Sequence, residues 1–243
     1  VKATHRLIAT SRTYQQATYR PHQKKNQTSV RSSQQDPPLA GPWLDRGPRF
    51  RLAPETIRDL ALAASGLLNQ QIGGPSVYPL QPAGFWLEFG TRGFDMEEWP
   101  TSAAAERSRR GVYTFWRRTT VYPAFAIFDA PSREHCTVRR SRSNTPLQAL
   151  STLNDPAFLR CAAALGLRAI EADHSSQSDR IVFAFRLCLS RRPQPLELAR
   201  LVTFYEQQLD HYRNHHSDAD KLITAADLSP VAQIDRSEWA AWT

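Results

Sequence analysis

Prolines placed directly after helix-capping residues are the feature that most constrains how this chain can fold. Asn144-Thr145-Pro146 and Asn154-Asp155-Pro156 each place a capping side chain before a proline, which is favoured at the first helical position. Apolar residues then recur at spacings of three and four, the period of a core-facing helix. Together with Pro54, Ser178 and Pro195 as further starts, the pattern predicts helices over 54–72, 146–153, 156–171, 178–190 and 195–213.

The middle of the chain lacks this period. Four prolines and several aromatic residues alternate between 75 and 100, which is typical of an extended segment. The run from 111 to 119 is rich in β-branched and aromatic residues and predicts a short strand, with 125–128 as its partner. We therefore expect a mainly α, irregular helical domain over 1–243 with a small extended or β element in the middle, and a mobile polar loop over 20–45. Because the chain starts at Val1 and its one methionine is Met96, we expect a fragment of a longer protein.

Charge and hydropathy exclude several classes of protein. No apolar stretch is long enough to predict a membrane span. The net charge of +8 is uneven, since residues 1–51 carry +8, 52–106 carry −5, 107–142 carry +7 and 143–243 carry −2. Only four of the 31 basic residues are lysine, and arginine suits fixed pairing with carboxylates. Without a groove-reading motif, this charge does not favour nucleic-acid binding.

The polar segment 129–145, which we call the arginine segment, is the candidate site. Asp129 and Glu134 supply carboxylates, and Arg139, Arg140 and Arg142 precede a predicted helix start, where free backbone donors favour an anion. One interpretation is a pocket for an anion or an acidic carbohydrate. The other is a buried ion-pair knot that ties the loop to the helices, with at least one arginine buried and bonded to acidic groups or carbonyls.

Other reactive side chains do not form recognised motifs. Cys136 follows a glutamate and a histidine, but adjacent residues rarely face each other as a nucleophile and its base must. Cys161 and Cys188 lie among apolar neighbours on predicted helices, so we expect both to be buried. His211 and His215 are four apart and lack a third ligand, so no metal site is predicted. Catalytic residues are not identified.

Several short motifs in fixed order resemble one family, the Planctomycete PSD family, or domain of unknown function 1553. The resemblance covers about 10–209. Its motifs are RGPRFRL (46–52), IRD (57–59), SGL (65–67), GGPSV (73–77), QP (81–82), RGVYTFWRRT (110–119), FDAP (128–131), EHC (134–136), NTPLQAL (144–150) and NDP (154–156).

The resemblance implies a place in a larger protein rather than an activity. Such domains stand towards the C-terminus of exported proteins and often follow a cytochrome-c-like domain with a CxxCH haem site. It implies an extracytoplasmic accessory or binding module with no chemistry of its own and no cofactor in this chain, with haem c in an upstream domain and neighbouring domains as partners. The family continues through a final helix, so the last packing element is expected to be missing. The alternative is a redox or carbohydrate-active enzyme, with a site where the arginine segment meets the aromatic segment 86–99.

Overall fold

The computed structural model describes residues 1–15, 51–81, 99–116, 121–172, 176–229, 231 and 233–243. Its contacts divide the chain into two compact units, Val1–Arg51 and Leu52–Thr243. In the first unit the described part is helix α1, Lys2–Thr10, which buries no residue. The predicted mobile loop at 20–45 lies outside the described residues. The prediction of one domain over 1–243 stays a prediction.

The second unit is mostly helical, which confirms the predicted mainly α fold. Its described helices are α2 (Pro54–Ser65), α3 (Pro123–Ile127), α4 (Pro146–Asn154), α5 (Pro156–Glu171), α6 (Gln177–Leu189), α7 (Pro195–Asn214), α8 (His216–Ala225) and α9 (Arg236–Trp242). A 3-10 turn at Gly111–Tyr113 comes before α3 in the chain.

The predicted caps set the helix starts. Thr145 and Gln148 form a capping box at α4, and the Asp155 carboxylate accepts hydrogen bonds from the first turn of α5. Ser176 caps α6, two residues before the predicted Ser178. The predicted end of α2 at 72 is wrong. Gly66 adopts a left-handed conformation with φ of 80° and ends the helix at Ser65, seven residues earlier than predicted.

The small β element is not confirmed in the described residues. The start of the predicted strand forms the 3-10 turn, and the predicted partner at 125–128 lies largely in α3. The extended chain after α2 instead forms isolated parallel bridges, Asn69 with Arg109 and Val77 with Thr114. Proline at the first position of α3 explains why this aromatic run becomes helical rather than extended.

Among the described residues, the largest buried side chain belongs to α9, in a part of the chain where no helix was predicted. Trp239 is 1% exposed, and its indole N–H donates to the Ala163 carbonyl at 2.9 Å. Small residues surround it, so that α9 packs closely against α5, α7 and α8. The expectation that the last packing element is missing stays a prediction.

None of the described helices is both long and apolar enough to cross a bilayer.

Candidate functional site

The arginine segment is closed into a loop by hydrogen bonds between its two ends. The Asp129 carboxylate accepts from the backbone N–H of Ser143 at 2.6 Å and from its hydroxyl at 2.8 Å. Ser143 in turn accepts from the Gln148 amide at 3.1 Å, and the same amide donates to the Ile127 carbonyl at 3.0 Å. Gln148 is 1% exposed. This chain of bonds fixes the segment to the end of α3 and to the first turn of α4.

The five predicted site residues do not converge. Asp129 serves the loop closure, whereas Arg140 leaves the segment to bind Glu55 of α2 at 2.8 Å. Glu134, Arg139 and Arg142 are exposed. The buried ion-pair knot is therefore wrong, because the segment lies on the surface. The binding role of these residues stays a prediction. Of the aromatic segment 86–99 of the alternative enzyme site, residues 86–98 lie outside the described residues.

A buried arginine does exist, but it lies elsewhere. Arg109 is 0% exposed, and its guanidinium donates to the carbonyls of Gly73 and Pro75. It also stacks on the Tyr113 ring at 3.9 Å. The guanidinium thus holds the loop after α2 by its backbone carbonyls.

The structure brings together a second group of polar residues that the sequence analysis missed. Arg58 of α2, Tyr122 before α3, and Asp155 and Cys161 of α5 line one small pocket, which we call the Arg58 pocket. Its remaining wall is apolar and consists of Pro54, Ala61, Ala124, Phe125, Phe128, Ala157 and Phe158. The pocket has room for about one water molecule. It is too small for an organic substrate.

Arg58 is the central polar group of this pocket. The residue is 7% exposed, and one terminal nitrogen donates to the Arg107 carbonyl at 2.5 Å. Its Nε–H is buried and has no protein partner. A water molecule in the pocket would satisfy this donor, because buried polar groups without protein partners are commonly paired with water. Arg58 is part of the IRD motif at 57–59, but the sequence analysis did not place it on the core-facing side of α2.

Burial dominates the titration of the pocket residues. It raises the pKa of the Tyr122 hydroxyl and of the Cys161 thiol, although the charge of Arg58 lowers both. Burial also raises the pKa of the Asp155 carboxyl, against the N–H donors of Ala157 and Phe158 that lower it. Thiolate and phenolate are both disfavoured here, so the pocket does not supply an activated nucleophile.

Asp155 gives a testable pH dependence. Because its folded pKa is raised, its contribution to stability is fully present below the unfolded pKa and is lost as the pH rises through the folded pKa. Asn is an equally good cap and carries no charge. We expect Asp155→Asn to match or exceed wild type in urea unfolding at pH 7, with an advantage that shrinks towards pH 4.

Asp155→Ala is the control, because it removes the cap together with the charge. It should cost about 1–2 kcal/mol in the same experiment. If Asp155→Asn lost as much stability as Asp155→Ala at pH 7, the raised pKa would not describe this carboxyl.

The three cysteines differ in exposure, and two of the histidines stack on each other. Cys161 is buried, as predicted, but the prediction for Cys188 is wrong, because its position on α6 is exposed. Cys136 is also exposed. The rings of His211 and His215 stack with their centroids 4.5 Å apart at the end of α7. The described residues contain no group of three or more metal-ligating side chains.

The described part of the chain is thus a helical module with a pinned, arginine-rich surface segment. Residues 1–205 match the family model described as Protein of unknown function (DUF1553), and the chain belongs to this family. No curated protein and no solved structure matches the chain.

Proposed function

We propose that this chain is a binding module whose arginine segment recognises carboxylate groups on an anionic ligand, such as an acidic carbohydrate. The observation that supports this most directly is the exposure of Arg139 and Arg142 on a loop whose backbone is pinned. Arginine forks match carboxylates in a bidentate geometry, and a fixed backbone lowers the entropy lost on binding. The surrounding stretch 107–142 carries a formal charge of +7. Carboxylates outside the stretch pair with four of its arginines, Arg107, Arg109, Arg110 and Arg140, and the remaining positive charge attracts anions.

The contacts of the segment are consistent with a surface for recognition. Arg140 forms an ion pair with Glu55, and the Arg133 guanidinium lies over the Trp116 ring, 3.8 Å from its centroid. The Asp129 carboxylate accepts hydrogen bonds from Ser143 and so closes the loop. These contacts hold the segment in place and leave cationic groups at the surface.

Replacement of two arginines tests this proposal. We expect Arg139→Gln/Arg142→Gln to weaken the binding of an oligogalacturonate about tenfold, because each exposed charge pair is worth roughly 0.2–1 kcal/mol and a charged hydrogen bond somewhat more. Isothermal titration of the whole chain at low salt measures the affinity, and the affinity should fall as salt is added.

The matched control removes two exposed arginines outside the segment. Arg192→Gln/Arg200→Gln makes the same change in net charge on α7 and the turn before it, and should leave the affinity within about twofold of wild type, as expected for surface substitutions outside the site. Equal losses in both variants would show that only net charge matters. An equally strong response to a neutral oligosaccharide would contradict the role of carboxylates.

We also propose that the module belongs to an exported polypeptide that carries a c-type haem domain upstream, so that its place is extracytoplasmic. Membership of the family, whose model matches residues 1–205, supports this. Sequencing the whole coding region and purifying the native polypeptide test this proposal. A secretion signal and a CxxCH motif in the same reading frame, with covalent haem on a denaturing gel, are expected. Their absence would contradict the proposal.

A further inference from the structure

Helix α7 ends in two exposed histidines whose rings lie side by side. His211 and His215 are one helical turn apart, and their rings stack with the centroids 4.5 Å apart and the planes 22° from parallel. His215 is also the residue that joins α7 to α8. Both histidines are exposed, so that an ion can reach the two rings from solvent.

One hydrogen bond determines which nitrogen of His215 has a free lone pair. Its Nδ1 lies 2.9 Å from the carbonyl oxygen of His211. A carbonyl only accepts hydrogen bonds, so Nδ1 carries the proton and Nε2 of the neutral ring keeps its lone pair. Histidines that bind metals are commonly held in this way, because their other ring N–H donates to a carbonyl or a carboxylate. The bond thus prepares Nε2 of His215 as a metal ligand.

The surroundings of the two rings favour a cation. The free carbonyls of the last turn give the C-terminus of the 20-residue helix α7 a negative partial charge. The hydrogen bond from Lys221 lowers the pKa of the Asp218 carboxyl most, and charge on His215 and His211 lowers it further. The Asp218 carboxylate therefore lies within electrostatic reach of both rings. Its pair with Lys221 is exposed, and such pairs are weak.

We propose that His211 and His215 together bind a divalent transition-metal ion, and that copper(II) binds in preference to nickel(II) or zinc(II). Histidines four residues apart on a helix can bind one ion, and an ion about 2.0–2.1 Å from each nitrogen holds the two nitrogens about 3 Å apart. Exposed side chains change rotamer within nanoseconds, so the stacked rings can reach this separation. Copper(II) has the highest affinity of these ions for imidazole ligands, and nitrogen with oxygen ligands suits its tetragonal geometry.

The proposed site takes two ligands from the protein. The sequence analysis predicted no metal site because a third ligand is missing, and the described residues likewise bring no third metal-ligating side chain to this pair. Water therefore completes the coordination, and the ion stays exchangeable, unlike the ion of a closed structural site. The two histidines lie outside the arginine segment, so this inference does not depend on the proposed function.

Calorimetric titration of the whole chain with copper(II), nickel(II), zinc(II) and magnesium(II) tests the site. The exposed thiols of Cys136 and Cys188 are first replaced by serine, because thiolates also bind transition metals. We expect copper(II) to bind most tightly and magnesium(II), which prefers oxygen ligands, not measurably. His211→Asn and His215→Asn should each weaken copper binding about tenfold or more, because the ion loses its second intramolecular imidazole.

The matched control is His5→Asn/His135→Asn. Both of these histidines are exposed, and neither has another histidine one helical turn away. The control should leave copper affinity within about twofold of the parent chain. The electron paramagnetic resonance spectrum of the copper complex should show two nitrogen ligands in the parent chain and one in either single variant.

Four results would overturn this inference. They are no measurable copper binding, unchanged copper affinity in His211→Asn or His215→Asn, a loss of affinity in the control as large as in these variants, or a spectrum with fewer than two nitrogen ligands in the parent chain. Tighter binding of zinc(II) or nickel(II) than of copper(II) would overturn the preference for copper.

Discussion

Trp239→Ala should destabilise the protein by about 3–5 kcal/mol, the usual cost of truncating a large buried aromatic side chain. Trp239 is 1% exposed, and Ala163, Ala219, Ala226 and Ala240 line its site. Small residues cannot expand into the space that the indole leaves, so most of the cavity should persist. Urea unfolding of the whole chain, followed by circular dichroism at the helical band, measures the loss.

Trp239→Phe separates volume from hydrogen bonding. Phenylalanine fills much of the site but cannot donate to the Ala163 carbonyl, which accepts the indole N–H at 2.9 Å. We expect a loss of about 1–3 kcal/mol from the lost hydrogen bond and the smaller ring. A loss below about 1 kcal/mol for Trp239→Ala would mean that α9 does not pack as described.

Helix starts could be predicted from sequence because they depend on local chemistry. Proline and a capping side chain act within one turn, so α2, α4, α5 and α7 begin at the predicted residues. The face that a helix buries depends on its neighbours. Leu60 of α2 belongs to the apolar residues at three- and four-residue spacing but is 46% exposed, whereas Arg58 and Leu62 are buried. The predicted helical period of α2 is right, but the side that the helix buries is rotated by about one residue from the predicted side.

The last two described helices could not be predicted from local sequence patterns. Helix α9 has seven residues, too few for a period to emerge, and α8 begins in a histidine-rich polar stretch. Their stability comes from packing against α5 and α7, which no local signal reveals. Helix α4 presents the opposite case, because its leucines follow a core-like pattern but lie at the surface.

Which arginine is buried could not be predicted from the sequence either. The arginine segment was expected to contain a buried guanidinium, since it combines carboxylates, arginines and a helix start. The buried arginines that the structure describes are Arg58 and Arg109 instead, and Arg109 is buried because the chain after α2 folds back and offers it backbone carbonyls. Gly74 allows this approach, since a Cβ there would lie 3.3 Å from the guanidinium. Every residue has a carbonyl oxygen, so no pattern of side chains predicts where backbone carbonyls will surround a guanidinium.

Replacement of Arg109 by methionine should therefore have an effect that no arginine of the arginine segment matches. Methionine keeps much of the apolar stem but donates no hydrogen bond. The carbonyls of Gly73 and Pro75 would lose their donor inside the protein, and Tyr113 would lose the guanidinium stacked on its ring. Leaving an acceptor without its donor typically costs about 1–3 kcal/mol.

Arg139→Met is the matched control, because Arg139 is exposed and the change of residue is the same. It should alter the free energy of unfolding by no more than about 0.5 kcal/mol, as exposed substitutions usually do. Arg109→Lys should fall between the two, since an ammonium keeps the charge but lacks the planar fork that reaches two carbonyls. Urea unfolding of the three variants gives the order. If Arg109→Met and Arg139→Met lost the same stability, the carbonyl site around Arg109 would not hold the loop after α2.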